Sequence, residues 1–175
     1  MASPAPSRNV WLPDAIEART SKIAGSGLFA TENIAADTVV MRFGGRVVST
    51  VELNALFAEA DRRGGYVDTI TVDQDHHLVM PDGSLAHFAN HSCDPTMWHV
   101  GAFEVAIRRP VDADEELTID YATNSGDATF TMECTCGAML CRGTITAQDW
   151  RQPELQERYD GHWIPALAAL IGSSR

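Results

Sequence analysis

All four cysteines of this 175-residue chain fall in two short clusters. Cys93 lies within Asn90-His91-Ser92-Cys93-Asp94-Pro95, and Cys134, Cys136 and Cys141 form a Cys-x-Cys-x4-Cys run further along. Four thiols suit one tetrahedral zinc ion, and a closed shell of four thiolates is structural because it leaves no open position for chemistry. Two cysteines one residue apart are awkward disulfide partners but can both face one ion, with Thr135, Gly137 and Gly143 permitting the tight turns required. The competing reading of the run is a set of buried free thiols, and Cys93 by itself would be an ordinary core cysteine.

Three other stretches carry groups that could meet a ligand. Gly25-Ser26-Gly27 is a Gly-x-Gly turn that, without a following helix, is neither a dinucleotide fingerprint nor a P-loop. Asn90-His91 often does no more than cap a turn. Glu116-Leu117-Thr118-Ile119-Asp120-Tyr121 reads as the end of a strand, where a tyrosine hydroxyl can orient a substrate or simply pack.

The elements that must hold these groups are short. From Ala15 to Val48 the text is strand-like, with Phe29 to Thr31, Thr38 to Met41 and Arg46 to Val48 separated by glycine pairs and Asn33/Asp37 turns. Ser49 and Glu52 have capping-box spacing, and Leu53, Leu56, Phe57 and Ala60 follow at helical intervals until Gly64-Gly65. Thr69 to Val72, His77 to Met80, Phe103 to Ile107 and Leu117 to Tyr121 read as further strands. After Gly143 the text turns helical, over roughly Pro153 to Tyr159 and Pro165 to Ile171, and carries Trp150, Tyr159 and Trp163. Together these describe a mostly β chain of small curved sheets with a helical C-terminal tail.

Length and a 45% hydrophobic content suit one domain with its own core. No window is long and apolar enough to span a bilayer, and Met1 to Ser7 lack the apolar stretch of a secretory signal, so the expected setting is cytoplasmic and reducing. The formal charge is −11 with no Lys/Arg-rich run. Direct binding to nucleic acid is therefore disfavoured, while a basic protein or peptide would be attracted. Acidity for solubility alone carries equal weight. His76, His77, His99 and His162 show no ligand spacing and read as surface or core residues.

Taken in order, Gly-x-Gly, Asn-His-Ser-Cys-x-Pro, Glu-Leu-Thr-x-Asp-Tyr and Cys-x-Cys-x4-Cys resemble the SET-domain protein-lysine N-methyltransferases with a post-SET zinc segment, over roughly Ile16 to Gly143. The small, Pro-rich start reads as a flexible arm over 1–13 and the helical text as a flank over 146–175, while the resemblance implies a SET domain over 14–124 and the zinc segment over 125–145, with no pre-SET cluster. The implied fold is a β-clip-like set of short twisted sheets, with a pseudoknot in which the Asn90 to Cys93 segment and the Leu117 to Tyr121 strand thread together. It further implies S-adenosylmethionine as cofactor, approached by the backbone of Gly25, Ser26 and Gly27 and contacted by Asn90, His91 and Tyr121. Tyr121 corresponds to the family's catalytic tyrosine, and Cys93, Cys134, Cys136 and Cys141 to the ligands of one structural zinc. Phe43 and Ile119 are expected about the substrate channel, and Trp163 either packs the helical tail on the sheet with Trp150 and Tyr159 or closes over the channel or cofactor. The substrate is expected to be a basic protein, of histone-like, nucleoid or ribosomal character, with no direct contact to nucleic acid or membrane.

Three departures bear on specificity: Ala24 where a cation usually precedes the glycine turn, Pro95-Thr96 for Pro-Asn, and Phe43-Gly44-Gly45 for Tyr-x-Gly. Ile119 stands where relatives often carry Tyr or Phe. The competing class is a non-catalytic, zinc-stabilised SET-like binding module, against which Tyr121 and Asn90-His91 argue.

Overall fold

Runs of three to five β-branched and aromatic residues between turn formers can pair only briefly, and they do so in four small antiparallel sheets. The computed structural model describes residues 6–124 and 130–173. In chain order the elements are β1 (Ile16–Thr20), β2 (Ser26–Ala30), β3 (Val39–Arg42), β4 (Arg46–Ser49), α1 (Thr50–Arg63), β5 (Thr69–Thr71) and β6 (His76–Val79). There follow β7 (Met97–His99), β8 (Glu104–Ile107), β9 (Glu116–Leu117), β10 (Thr131–Glu133), β11 (Thr144–Thr146), α2 (Pro153–Arg158) and α3 (Pro165–Ser173). The sheets are β1-β2-β9, β3-β8-β7, β4-β6-β5 and the hairpin β10-β11.

The one long helix starts and stops where its sequence dictates. Ser49 accepts from the Glu52 amide while the Glu52 carboxylate takes the Ser49 N–H, and Gly64 closes the C-terminus in a left-handed conformation. β4 and β6 pair from Arg46↔Val79 to Ser49↔His76, so α1 is anchored at its base to a sheet.

Two expectations are corrected. Residues 6–13 are not a free arm: Ser7 bridges Gly44, Trp11 and Arg42 exchange backbone hydrogen bonds at 2.9 Å, and Val10 and Leu12 pack on the core. The exposed edge of β3 supplies the unpaired backbone groups that recruit them. Gly44 is needed there, because a Cβ would stand 2.1 Å from the Asn9 carbonyl oxygen. Residues 1–5 of the expected arm lie outside the described residues.

The strand expected from Leu117 to Tyr121 ends early. Only Glu116 and Leu117 pair with β2, and the Asp120 carboxylate then accepts from the Ala122 amide to start a 3₁₀ turn at Tyr121. The helical segments expected at Pro153 to Tyr159 and Pro165 to Ile171 form as α2 and α3, and before them Thr144–Thr146 adds the strand β11 with Ile145 fully buried. Residues 125–129, at the start of the expected zinc segment, lie outside the described residues.

The main core gathers Leu28, Met41, Leu78, Met97, Ile107 and Leu117 from the sheets with Tyr159, Ile164 and Leu167 from the helical flank. A second cluster of Cys93, Cys134 and Ile145 lies beside it, with Tyr121, Phe130 and Met132 packed against it. Among the described residues no helix is long and apolar enough to cross a membrane.

Candidate active site and metal centre

The hairpin β10-β11 carries three cysteines in its connecting loop, closed by the Cys134 N–H donating to the Gly143 carbonyl at 2.7 Å. Left-handed turns at Gly137 and Gly143 fold that loop back on Cys93. The four sulfurs all lie within 4.8 Å of one another, and Cys93 and Cys134 are 3.8 Å apart. A tetrahedral zinc with bonds of about 2.3 Å sets its sulfurs about 3.8 Å apart, the separation of Cys93 and Cys134, and with no two of the four sulfurs more than 4.8 Å apart the donor set needs only a small closure onto that ion. The cluster could therefore bind zinc.

Thiolate charge is provided for. The Arg142 amide donates to the Cys93 sulfur at 3.3 Å and the Cys93 amide to the Cys136 sulfur at 3.5 Å. Burial raises the Cys136 thiol, but the amides of Cys93 and Ala138 together with the neighbouring thiols of Cys134 and Cys141 outweigh it and bring the group down to about 7.

Asn90 and His91 link this cluster to the other motifs. The Ile119 amide donates to the Asn90 carbonyl at 3.0 Å and the Ser92 amide to the Ile119 carbonyl at 3.1 Å, a parallel bridge between the two segments. The Asn90 carboxamide donates to the carbonyls of Ala24 and Ser26 and to the Glu116 carboxylate, at 3.1, 3.0 and 2.8 Å. Glu116 also takes the Ser21 hydroxyl at 2.7 Å. Asn90 and Glu116 thus pin the glycine turn, and Gly25, at φ 46°, has open space where a side chain would stand. An uncovered glycine backbone beside a fixed carboxamide could hold the polar end of a small ligand at Gly25, Ser26, Gly27 and Asn90.

His91 faces inward. It is 3% exposed, its Nδ1 accepts the Tyr121 amide at 3.1 Å, and that fixes the proton on Nε2, which lies 3.3 Å from the Cys93 sulfur. Burial pushes its pKa down to about 4 against the opposing pull of Asp120, so the ring is neutral. Its side chain positions Tyr121 and Cys93, and only its backbone is left for a cofactor.

Tyr121 lines a pocket of about 80 Å³ with Phe43, Ile119, Met41, Met97 and Asp68 among its other walls. Its hydroxyl donates to the Ala89 carbonyl at 3.0 Å. Burial, reinforced by the negative Asp68, pushes its pKa up to about 12. The group is therefore a neutral hydroxyl with acceptor capacity left for an amine N–H, and not a base.

Phe43 and Ile119 line this pocket with Tyr121, but Trp163 does not. It packs edge-on to Tyr159 at 5.8 Å inside the core, 7% exposed, and is no part of the pocket's lining. An indole in the bend between α2 and α3 is drawn into the core by its own apolar area. His99 is a core residue, its ring bonded to Asn124 and facing Phe43, and His162 stacks on Trp98 with centroids 3.5 Å apart.

Two features have no motif of their own. Arg142, directly after the last cysteine, donates to both oxygens of Asp120 at 2.7 Å, and Tyr159 donates to Asp120 at 2.9 Å. A lone arginine among small residues was the available signal. Asp68 lies between α1 and β5 with no periodicity to single it out.

A family model described as the SET domain matches residues 25–122. Among similar curated proteins are histone-lysine N-methyltransferase set-2 of Caenorhabditis elegans, 31% identical over 71% of this chain and 9% of that protein, and histone-lysine N-methyltransferase 2B of Homo sapiens, 33% identical over 74% and 5%. Histone-lysine N-methyltransferase SUV39H2 of Xenopus tropicalis is 30% identical over 73% of this chain and 38% of its own length. The chain thus spans well under half the length of these relatives.

Proposed function

This chain belongs to the SET-domain family, and on that premise we propose that it transfers a methyl group from S-adenosylmethionine to the side-chain amine of lysine in a basic protein. The observation that carries the reading is the convergence of Tyr121, the Asn90-His91 segment and the glycine turn on one site, held by direct hydrogen bonds. Bound S-adenosylmethionine supplies an electrophilic methyl on a sulfonium.

The chain's own residues then have three tasks. The first is to deprotonate: lysine is neutral only about once in 2,500 molecules at pH 7, a deficit of roughly 4.6 kcal/mol. A pocket walled by Met41, Phe43, Ile70, Met80, Met97 and Ile119 disfavours the ammonium form and lowers that deficit. The second is to aim the amine, which the neutral Tyr121 hydroxyl does by accepting its N–H. The third is to keep Tyr121 still, which His91 does through the Tyr121 amide.

The four cysteines hold one structural zinc in this reading, joining the hairpin loop to the Asn-His-Ser-Cys turn. A reducing cytoplasm would keep the thiols available for it. The net charge of −11 supports a cationic substrate, of which histone-like, nucleoid and ribosomal proteins are the expected kinds. Calorimetric titration with S-adenosylmethionine tests the reading against a decayed binding module: saturable one-site binding is expected, and its absence would remove the enzymatic role.

A further inference from the structure

The pocket beside Tyr121 is not sealed from the surface. A groove of about 420 Å³ runs from Leu56, Glu59 and Ala60 of α1 to the turn at Pro81–Ser84, and Asp68, Met80 and His87 line both it and the pocket. Anything that reaches Tyr121 along the groove passes these three residues.

Asp68 differs from Glu59, and from the exposed Asp82, in the same groove. Glu59 is paired with Arg62 and Arg63. The Asp68 side chain is 31% exposed, but its Oδ2 is buried and accepts no hydrogen bond, and the imidazole Nδ1 of His87 stands 3.6 Å from it. A buried carboxylate oxygen without a donor carries a desolvation penalty that an incoming cation would relieve. Burial has accordingly raised the pKa of Asp68, with His87 opposing. His87 stacks on Tyr66 at 4.5 Å, so the junction has an aromatic wall facing its acid.

We infer that Asp68 is a substrate-binding residue, which takes the ammonium of the target lysine at the junction of groove and pocket before the side chain advances to Tyr121. This rests on the lysine methyltransferase reading and adds to it a named contact. The position matters physically. An anion touching the reacting nitrogen would hold the proton on and oppose methyl transfer, whereas an anion at the mouth repays desolvation on entry and leaves deprotonation to the apolar walls beyond.

Binding and turnover can be read apart. A short Gly/Ala peptide with one central lysine, and its copy with norleucine at that position, are titrated into wild-type protein and into Asp68→Asn with S-adenosylhomocysteine present. Loss of a charge-assisted contact predicts that the lysine peptide binds roughly tenfold more weakly to Asp68→Asn, while norleucine binds both proteins alike. Equal lysine affinity in the two proteins overturns the inference, as does wild-type protein that does not prefer lysine to norleucine. The second comparison needs no variant and so survives a folding defect. Methyl transfer is scored separately with labelled cofactor, so lysine capture without transfer would strike the enzymatic reading alone.

Discussion

Arg142 grips both oxygens of the Asp120 carboxylate at 2.7 Å, joining the residue after the last cysteine to the residue before Tyr121. Asp149 approaches the same guanidinium at 3.1 Å, and Tyr159 donates to Asp120 at 2.9 Å. The cysteine loop, the 3₁₀ turn of Tyr121 and the helical flank therefore meet at one carboxylate with no side-chain exposure. Burial works against the charge on Arg142, but Asp120 and Asp149 outweigh it and hold the guanidinium above its ordinary pKa. Neither the cysteine loop nor Tyr121 can shift without breaking this pair.

Arg142→Met should destabilise the protein by about 3–5 kcal/mol, because it leaves Asp120 charged, buried and short of donors. Adding Asp120→Asn should restore part of the loss. Urea unfolding of the two variants measures both; a single substitution costing under about 1 kcal/mol would show the network to be incidental.

Purified protein should carry one zinc per chain, and Cys136→Ser should lose it together with much of the thermal stability. Metal analysis of protein prepared without chelator decides this. A metal-free chain that melts normally would leave four packed thiols and no site.

Ile119 lines the pocket with Tyr121 and Phe43, and neither Ile119 nor Phe43 offers a hydroxyl to hold a water beside the amine. Each added methyl needs apolar room and forgoes a hydrogen bond, so dimethyl-lysine and trimethyl-lysine should be reachable. Mass spectrometry of a substrate at saturating cofactor should show them, and Ile119→Tyr should shift the product toward monomethyl. A wild-type product that stops at one methyl refutes the roomy pocket.

Much of this was legible in the sequence. The capping box and glycine stop of α1 and the cysteine cluster are local patterns that formed where their spacing placed them, while the run of short strands formed with one strand ending early at Leu117 and with β11 added. What spacing could not tell was which way a side chain faces. His91 turned inward because the Tyr121 amide and the Cys93 sulfur are its partners, and Trp163 went to the core rather than the channel. Arg142–Asp120 joins residues far apart in the chain, and Asp68 gains its interest only from two cavities that meet beside it. Contacts of that kind are made by tertiary packing and leave no periodicity to find.

His99 is fully buried, and burial pushes its pKa down to about 4 despite the Asn124 contact. Since free histidine titrates near 6.5, the unfolded chain takes up a proton that the folded chain refuses between these values. Stability is therefore complete above about pH 6.5 and is lost as pH falls toward 4, by up to roughly 3 kcal/mol from this residue. His99→Gln should flatten that slope in a series of thermal melts; an unchanged slope would mean that His99 charges freely in the fold.

The central claim is that this site moves a methyl group onto lysine with Tyr121 aiming the amine. Tritiated-methyl transfer from S-adenosylmethionine into purified core histones, used as a basic probe, should label lysine with wild-type protein. Tyr121→Phe should bind the cofactor as before yet label about 10²-fold more slowly or worse. Full-rate labelling by Tyr121→Phe, or wild-type protein that binds the cofactor but labels no lysine in histones or in a whole-cell lysate, would contradict the account.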